Sequence, residues 1–101
     1  MYIYNVTVNV EVSVVQEWKN WMKTTHIPEV MKTGYFEHFK MLRLVNESED
    51  AEGETFAIQY SAQSLSSINS YLSIEAPLLQ KEHMERYGSR CVAFRTVLEE
   101  V

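Results

Sequence analysis

From residue 2 to residue 12 the side chains alternate in polarity: Tyr4, Val6, Val8, Val10 and Val12 share one face, and Ile3, Asn5, Thr7, Asn9 and Glu11 share the other. A period of two predicts a β-strand with one greasy and one mostly polar side. The period then lengthens. Ser13 followed by Gln16 has the form of a capping box, and Val14, Trp18, Trp21 and Met22 recur at helical spacing, so a first helix is expected to run to about Thr24. Pro28 lacks an N–H and suits the first turn of a second short helix carrying Val30 and Met31, with Gly34 as its left-handed stop.

Tyr35 to Val45 is rich in aromatic and branched residues and reads as a second strand. The acidic stretch Glu47 to Glu54 follows as a solvated tip, and Thr55 to Ala62 alternates as a third strand, closing a hairpin. Ser64 caps a helix with Leu65, Ile68, Tyr71 and Leu72 on one side. Pro77 interrupts it and starts a second segment in which Leu79, His83 and Tyr87 share a face; Gly88 ends that segment, and Arg90 to Leu98 forms the last strand.

The order strand, helix, strand, strand, helix, strand defines an α+β class with ferredoxin-like βαββαβ topology: a four-stranded antiparallel sheet with proline-broken helix pairs on one face. The second strand carries Phe36, Leu42 and Leu44 on one side and Tyr35, Phe39, Met41 and Val45 on the other. A strand apolar on both faces has to be covered twice, and the simplest second cover is another copy of the same sheet, so a homodimer packed sheet to sheet is expected.

At 101 residues the chain forms one domain, residues 1–101. Its net charge of -5 and the lack of any Lys/Arg stripe argue against nucleic acid or an anionic membrane as partner. Cys91 is the only cysteine, which removes disulfide frameworks, cysteine-zinc clusters and Cys-x-x-Cys redox pairs. The N-terminal stretch lacks the pattern of a signal peptide and no apolar run reaches the length of a membrane span, so a cytoplasmic location is expected.

Chemistry-bearing residues are few. Trp18 and Trp21 lie three positions apart and can both face the sheet, as core or as walls for a flat ligand. His26, read as lying in a turn between two helices, can cap backbone groups or act as a general base. His83 lies on an apolar stripe, and His38 reads as solvent-facing. No HxxxH or HxH pair provides a metal set, the three glycines form no phosphate loop, and no serine sits in a nucleophile elbow. One reading places a small apolar pocket between sheet and helices, lined by Asn5, Trp21, Gln59 and Tyr71, with His26 or His83 as acid/base and no bound metal or cofactor. The other reading is a dimerisation module with a filled core.

The opening IYNVTV, the segment EW-x-x-WM-x-x-x-HIPEV-x-x-TG-x-F, the strands LRLV and TFAIQY, and the late AP-x-L-x-x-EH-x-x-R-x-G-x-R with VAFR together resemble a small uncharacterised bacterial domain-of-unknown-function family. The topology is similar to the dimeric α+β barrel superfamily, whose members include cofactor-free monooxygenases, haem-degrading enzymes, lactone isomerases and ligand-sensing domains. Fold alone does not transfer any of these activities. The likeness to the haem-degrading members implies a third reading, haem ligation by His83, with Asn5 on the first strand and Tyr71 standing where those proteins carry a tryptophan. It would turn Asn5 toward the helices, whereas simple burial would turn Val6 and Val8 inward.

Overall fold

Alternation along the first strand, β1 (Tyr2–Val10), puts it at the centre of the sheet, where both of its edges are hydrogen-bonded. β3 (Glu54–Ala62) pairs antiparallel on one side, with Val6 opposite Ile58, and β4 (Cys91–Glu99) pairs antiparallel on the other, with Val6 opposite Arg95. β2 (His38–Arg43) closes the order β2-β3-β1-β4 as an edge strand. This is the ferredoxin-like α+β arrangement, and the computed structural model on which it rests describes residues 1–101.

Burial decides the face of β1. Tyr4, Val8 and Val10 are buried beneath the helices with Phe56, Ile58 and Tyr60 of β3, so the valine side of the alternation is the inner face. Val12 does not continue the strand: it begins a single 3-10 turn, Val12–Val14, and is 67% exposed. That turn is held by Glu11 N–H donating to the Arg90 carbonyl and Val14 N–H donating to the Glu11 carbonyl. The helix α1 (Val15–Trp21) therefore starts without a side-chain cap, and the Ser13 hydroxyl donates to the Glu11 carboxylate at 3.0 Å instead of forming the expected capping box.

The largest departure from expectation lies next. No turn separates α1 from α2 (Ile27–Lys32), because residues Met22–His26 form a π-helical turn in which Ile27 N–H donates to the Met22 carbonyl, five residues back. A proline ring in a regular α-helix collides with the carbonyl four residues earlier, here that of Thr24, and the wider π turn relieves the collision without ending the helix. One added residue also shifts the phase of the buried stripe, so Val15, Trp18 and Met22 before the bulge and Ile27 and Val30 after it all reach the core. His26 thus closes a helical turn and does not lie in a loop.

β2 is shorter than its composition suggests. Phe36 lies in the core, its ring stacked on Tyr4 at 6.1 Å and tilted against Tyr60 at 5.2 Å, but a bend at Glu37 reverses the parity, so Phe39 and Met41 share its inner side while Leu42 points outward. Leu44 and Val45 are exposed beyond the strand. Gly53, at φ +74°, brings the hairpin loop against β1 so closely that a Cβ there would lie 2.5 Å from the Val10 carbonyl oxygen.

The second helical arm follows expectation. The Ser64 hydroxyl accepts from Ser67 N–H to cap α3 (Leu65–Ile74), and Pro77 sits in the first turn of α4 (Ala76–Tyr87), which Gly88 ends with φ 57°. Ile68, Tyr71, Leu79 and Tyr87 are buried; Leu65, expected on the same apolar side, is exposed at the first helical position. No helix is long and apolar enough to cross a membrane.

Candidate functional site

The two helical arms meet over β1 at a pair of imidazoles. His26, at the end of the π turn, and His83, in the middle of α4, have ring centroids 6.0 Å apart. Trp18, fully buried on α1, donates its indole N–H to His83 Nε2 at 3.0 Å while its ring packs on Phe56. An acceptor Nε2 fixes the neutral tautomer with the proton on Nδ1. Trp21, one turn further along the arm, packs its indole against both imidazoles, at 5.1 Å from His26 and 5.8 Å from His83. Its outer surface carries the Arg86 guanidinium, which is 5.4 Å away and also pairs with Glu17.

In front of the imidazoles lies a cavity of about 40 Å³, floored by apolar side chains of the sheet, among them Val6, Val8 and Ile58. Its polar lining comes from Tyr4, Tyr60 and Tyr71, from His26 and His83, and from Gln80 and Arg95. Burial pushes all three phenols above their ordinary range, so each keeps its proton as a donor. The Gln80 amide and the Arg95 guanidinium both act on the Tyr4 hydroxyl. Burial also lowers the His26 imidazole to about 4, with further lowering from His83 and then Arg95. His83 is lowered by burial first and by Arg95 second. Both rings are neutral near pH 7, and His26 Nδ1 is buried without a hydrogen-bond partner.

The structure sorts the residues singled out in the sequence into three places. His26, His83 and Tyr71 line the cavity. Trp21 stands behind the imidazoles, outside the cavity wall. Asn5 and Gln59 face each other across β1 and β3 on the outer side of the sheet, because their parity opposes that of Tyr4, Ile58 and Tyr60. Asn5 there donates to Thr7 and Thr96, at 3.0 and 3.3 Å, and its Oδ1 is buried without a partner. Sequence reasoning missed Tyr4, Tyr60, Gln80 and Arg95. Tyr4 was hidden among the valines of the apolar face, and the signal for Arg95 was a single charge in the otherwise uncharged run CVAFRTVL of an inward-facing strand.

This geometry does not suit haem. The Nε2 lone pair of His83 is already taken by Trp18, Asn5 is on the far side of the sheet, and about 40 Å³ is far below the volume of a porphyrin. No three His, Cys, Asp or Glu side chains converge anywhere as a metal-ligand group. Cys91 is buried and free, its thiol pushed up to about 11 by burial, which makes it an inert packing residue.

The profile of the family described as "Domain of unknown function (DUF4286)" matches residues 1–101, and the chain belongs to that family. No curated protein shows a significant sequence match. Among solved structures, an "ethyl tert-butyl ether d (ethd) family protein" from Bacillus halodurans superposes with a TM-score of 0.70 at 17% identity, covering 100% of both chains. HapK from Hahella chejuensis gives 0.73 at 7% identity, over 100% of this chain and 93% of its own. A "dimeric ferredoxin-like protein" from an uncultured marine organism gives 0.72 at 13% identity, over 99% and 97%. At such identities the likeness establishes the shared ferredoxin-like α+β fold.

Proposed function

As a member of a family whose description assigns no activity, the chain is best understood through its cavity, and we propose that it is a cytoplasmic homodimer that binds or transforms a small apolar or aromatic molecule there, without a metal. The observation that carries this reading is a cavity ringed by phenols and lined by His26, a residue whose Nδ1 is buried without a partner. An orphan of that kind costs about 1–3 kcal/mol unless water or a ligand satisfies it. The enclosed space takes a few waters or one substituent of a ring. The body of a ring would extend from that space toward solvent. Of the two imidazoles, His26 is the acid/base candidate, since His83 is fixed by Trp18 as an Nδ1 donor.

The homodimer is supported by the outer face of the sheet. Val92, Phe94 and Leu98 of β4 project there, 52%, 67% and 44% exposed, and Leu42 of β2 lies at the opposite edge. An apolar edge beside a more polar centre suits a two-fold contact with a second copy. The smallness of the cavity favours the alternative of a dimerisation module that carries no ligand.

Native mass spectrometry of the protein purified from its own host is expected to reveal a co-purifying small molecule. In His26→Ala the dimer and its melting temperature should be retained while ligand-induced stabilisation is lost. A clean apo mass, together with no thermal shift from any single-ring compound in a fragment panel, would leave the module reading standing in its place.

A further inference from the structure

The cavity differs from the rest of the molecule in charge. The chain carries 14 acidic and 9 basic residues, yet the cavity lining contains one cation, Arg95, and no carboxylate. Among the arginines, Arg43 pairs with Glu54, Arg86 pairs with Glu17, and Arg90 donates to the backbone carbonyls of Tyr87 and Arg86. Arg95 forms no ion pair. It projects from the inner side of an edge strand, opposite Val6, and its charge acts on the Tyr4 and Tyr71 hydroxyls and on both imidazoles. No carboxylate is in the lining: Glu99 acts on the Tyr2 hydroxyl, and Glu75 acts on Tyr71 from outside it.

Apart from His26, the remaining polar groups of the wall can donate as well. His83 presents Nδ1–H because Nε2 accepts from Trp18, the three phenols keep their protons, and Gln80 contributes an amide. A wall of donors around an unpaired guanidinium is matched by an acceptor-only group with a negative charge. The volume of about 40 Å³ fits the head of such a group and not a whole ring.

We propose that the cavity is an oxyanion site: it takes the carboxylate or phenolate head of a small single-ring acid, with the charge held by Arg95 and the tyrosine hydroxyls and the ring at the mouth. This rests on the reading that the cavity binds a small molecule at all, and it narrows the ligand from apolar molecules to organic monoanions. Burial of the imidazoles adds a secondary consequence. A carboxylate beside His26 and His83 favours their protonated forms, so carboxylate binding should be accompanied by proton uptake and should strengthen as pH falls from 7 toward 5.

The test is calorimetric titration of the full chain, in a buffer free of carboxylate and phosphate, with benzoate, its neutral isostere benzamide, acetate, and a phenolate such as 4-nitrophenolate. Benzoate or the phenolate is expected to bind at least about tenfold more tightly than benzamide, the size of a charge-assisted contact. Which of the two binds identifies the head group. Acetate should bind more weakly with the same dependence on Arg95. Arg95→Gln, an exposed edge-strand substitution, should erase the preference for the anion, and Arg95→Lys should keep part of it. Equal binding of benzoate, the phenolate and benzamide, or an anion preference that survives in Arg95→Gln, overturns the oxyanion assignment and leaves the cavity reading intact. No heat from any of the four compounds overturns both.

Discussion

The two faces of this sheet are made by the same four strands and follow opposite rules. On the inner face the central strands carry the apolar mass, with Tyr4, Val8, Phe56, Ile58 and Tyr60 buried under both helical arms, and the one charged residue of the cavity, Arg95, is on an edge strand. On the outer face the central strands are mostly polar, with Asn5, Thr7, Asn9, Gln59 and Ser61 beside Ile3 and Ala57, and the exposed apolar residues Val92, Phe94, Leu98 and Leu42 are on the edge strands. The inner face is a core with one small hole in it. The outer face is a surface whose grease lies where a second copy can reach it. The difference teaches that alternation along a single strand reports the inside of a subunit, whereas a contact between subunits is recorded across strands, in residues far apart in the sequence.

The inner face should respond most strongly to substitution. Trp18→Ala removes a fully buried indole and leaves His83 Nε2 without its donor, so a loss of about 4 kcal/mol is expected from chemical denaturation. A loss below about 1 kcal/mol would show that the arms are held together elsewhere.

Next in size is the response to acid. The folded His26 is lowered to about 4 from an ordinary value of 6.5, so below pH 6.5 the unfolded chain takes up a proton that the folded chain refuses. Stability should therefore be full above pH 6.5 and fall progressively toward pH 4, by on the order of 3 kcal/mol, with His83 acting in the same direction. Denaturation curves of the wild type and His26→Gln across that range provide the check, and the variant should show the shallower fall. Parallel curves would mean that the imidazole is not desolvated.

On the outer face, Phe94→Glu should dissociate the proposed dimer while keeping the fold, weakening association at least a hundredfold because the two-fold doubles each change, about 2 kcal/mol per copy. Light scattering and circular dichroism together decide this. A monomeric wild type at micromolar concentration would remove the second face from the comparison altogether. The smallest effect is expected at Arg86→Ala, where an exposed ion pair with Glu17 and a guanidinium over Trp21 together contribute about 1 kcal/mol or less, read as a change in melting temperature that shrinks in high salt.

Much of the fold was legible in the sequence, since it is carried by local signals. The order of elements follows from the alternation in β1, the Ser64 cap, Pro77 at the start of α4 and glycines at 34 and 88 with positive φ. What escaped was set by tertiary packing. Pro28 marks a helix break on its own, and only the need to keep both Trp18 and Val30 against the sheet turns the break into a π bulge. The bend at Glu37 likewise hides the fact that Phe36 and Phe39 share a side, which made a short edge strand look like a longer one greasy on both faces. The exposed apolar residues of the outer face are instead on β4, with Leu42 at the other edge. In the site, the histidines were conspicuous by type, and Tyr71 by its place on a stripe. Arg95 was not, because its importance lies in the acid it lacks, and a missing partner is visible only once everything around it has been placed.

Both indoles of the chain rest on the imidazole pair, one through a hydrogen bond at 3.0 Å and the other through ring contact. Any occupant that alters the charge of those rings changes the surroundings of the only two tryptophans, and with them the emission of the whole molecule. The protein thereby carries its own optical reporter: filling of the cavity, and its acidification, can be watched in ultraviolet light without attaching a label.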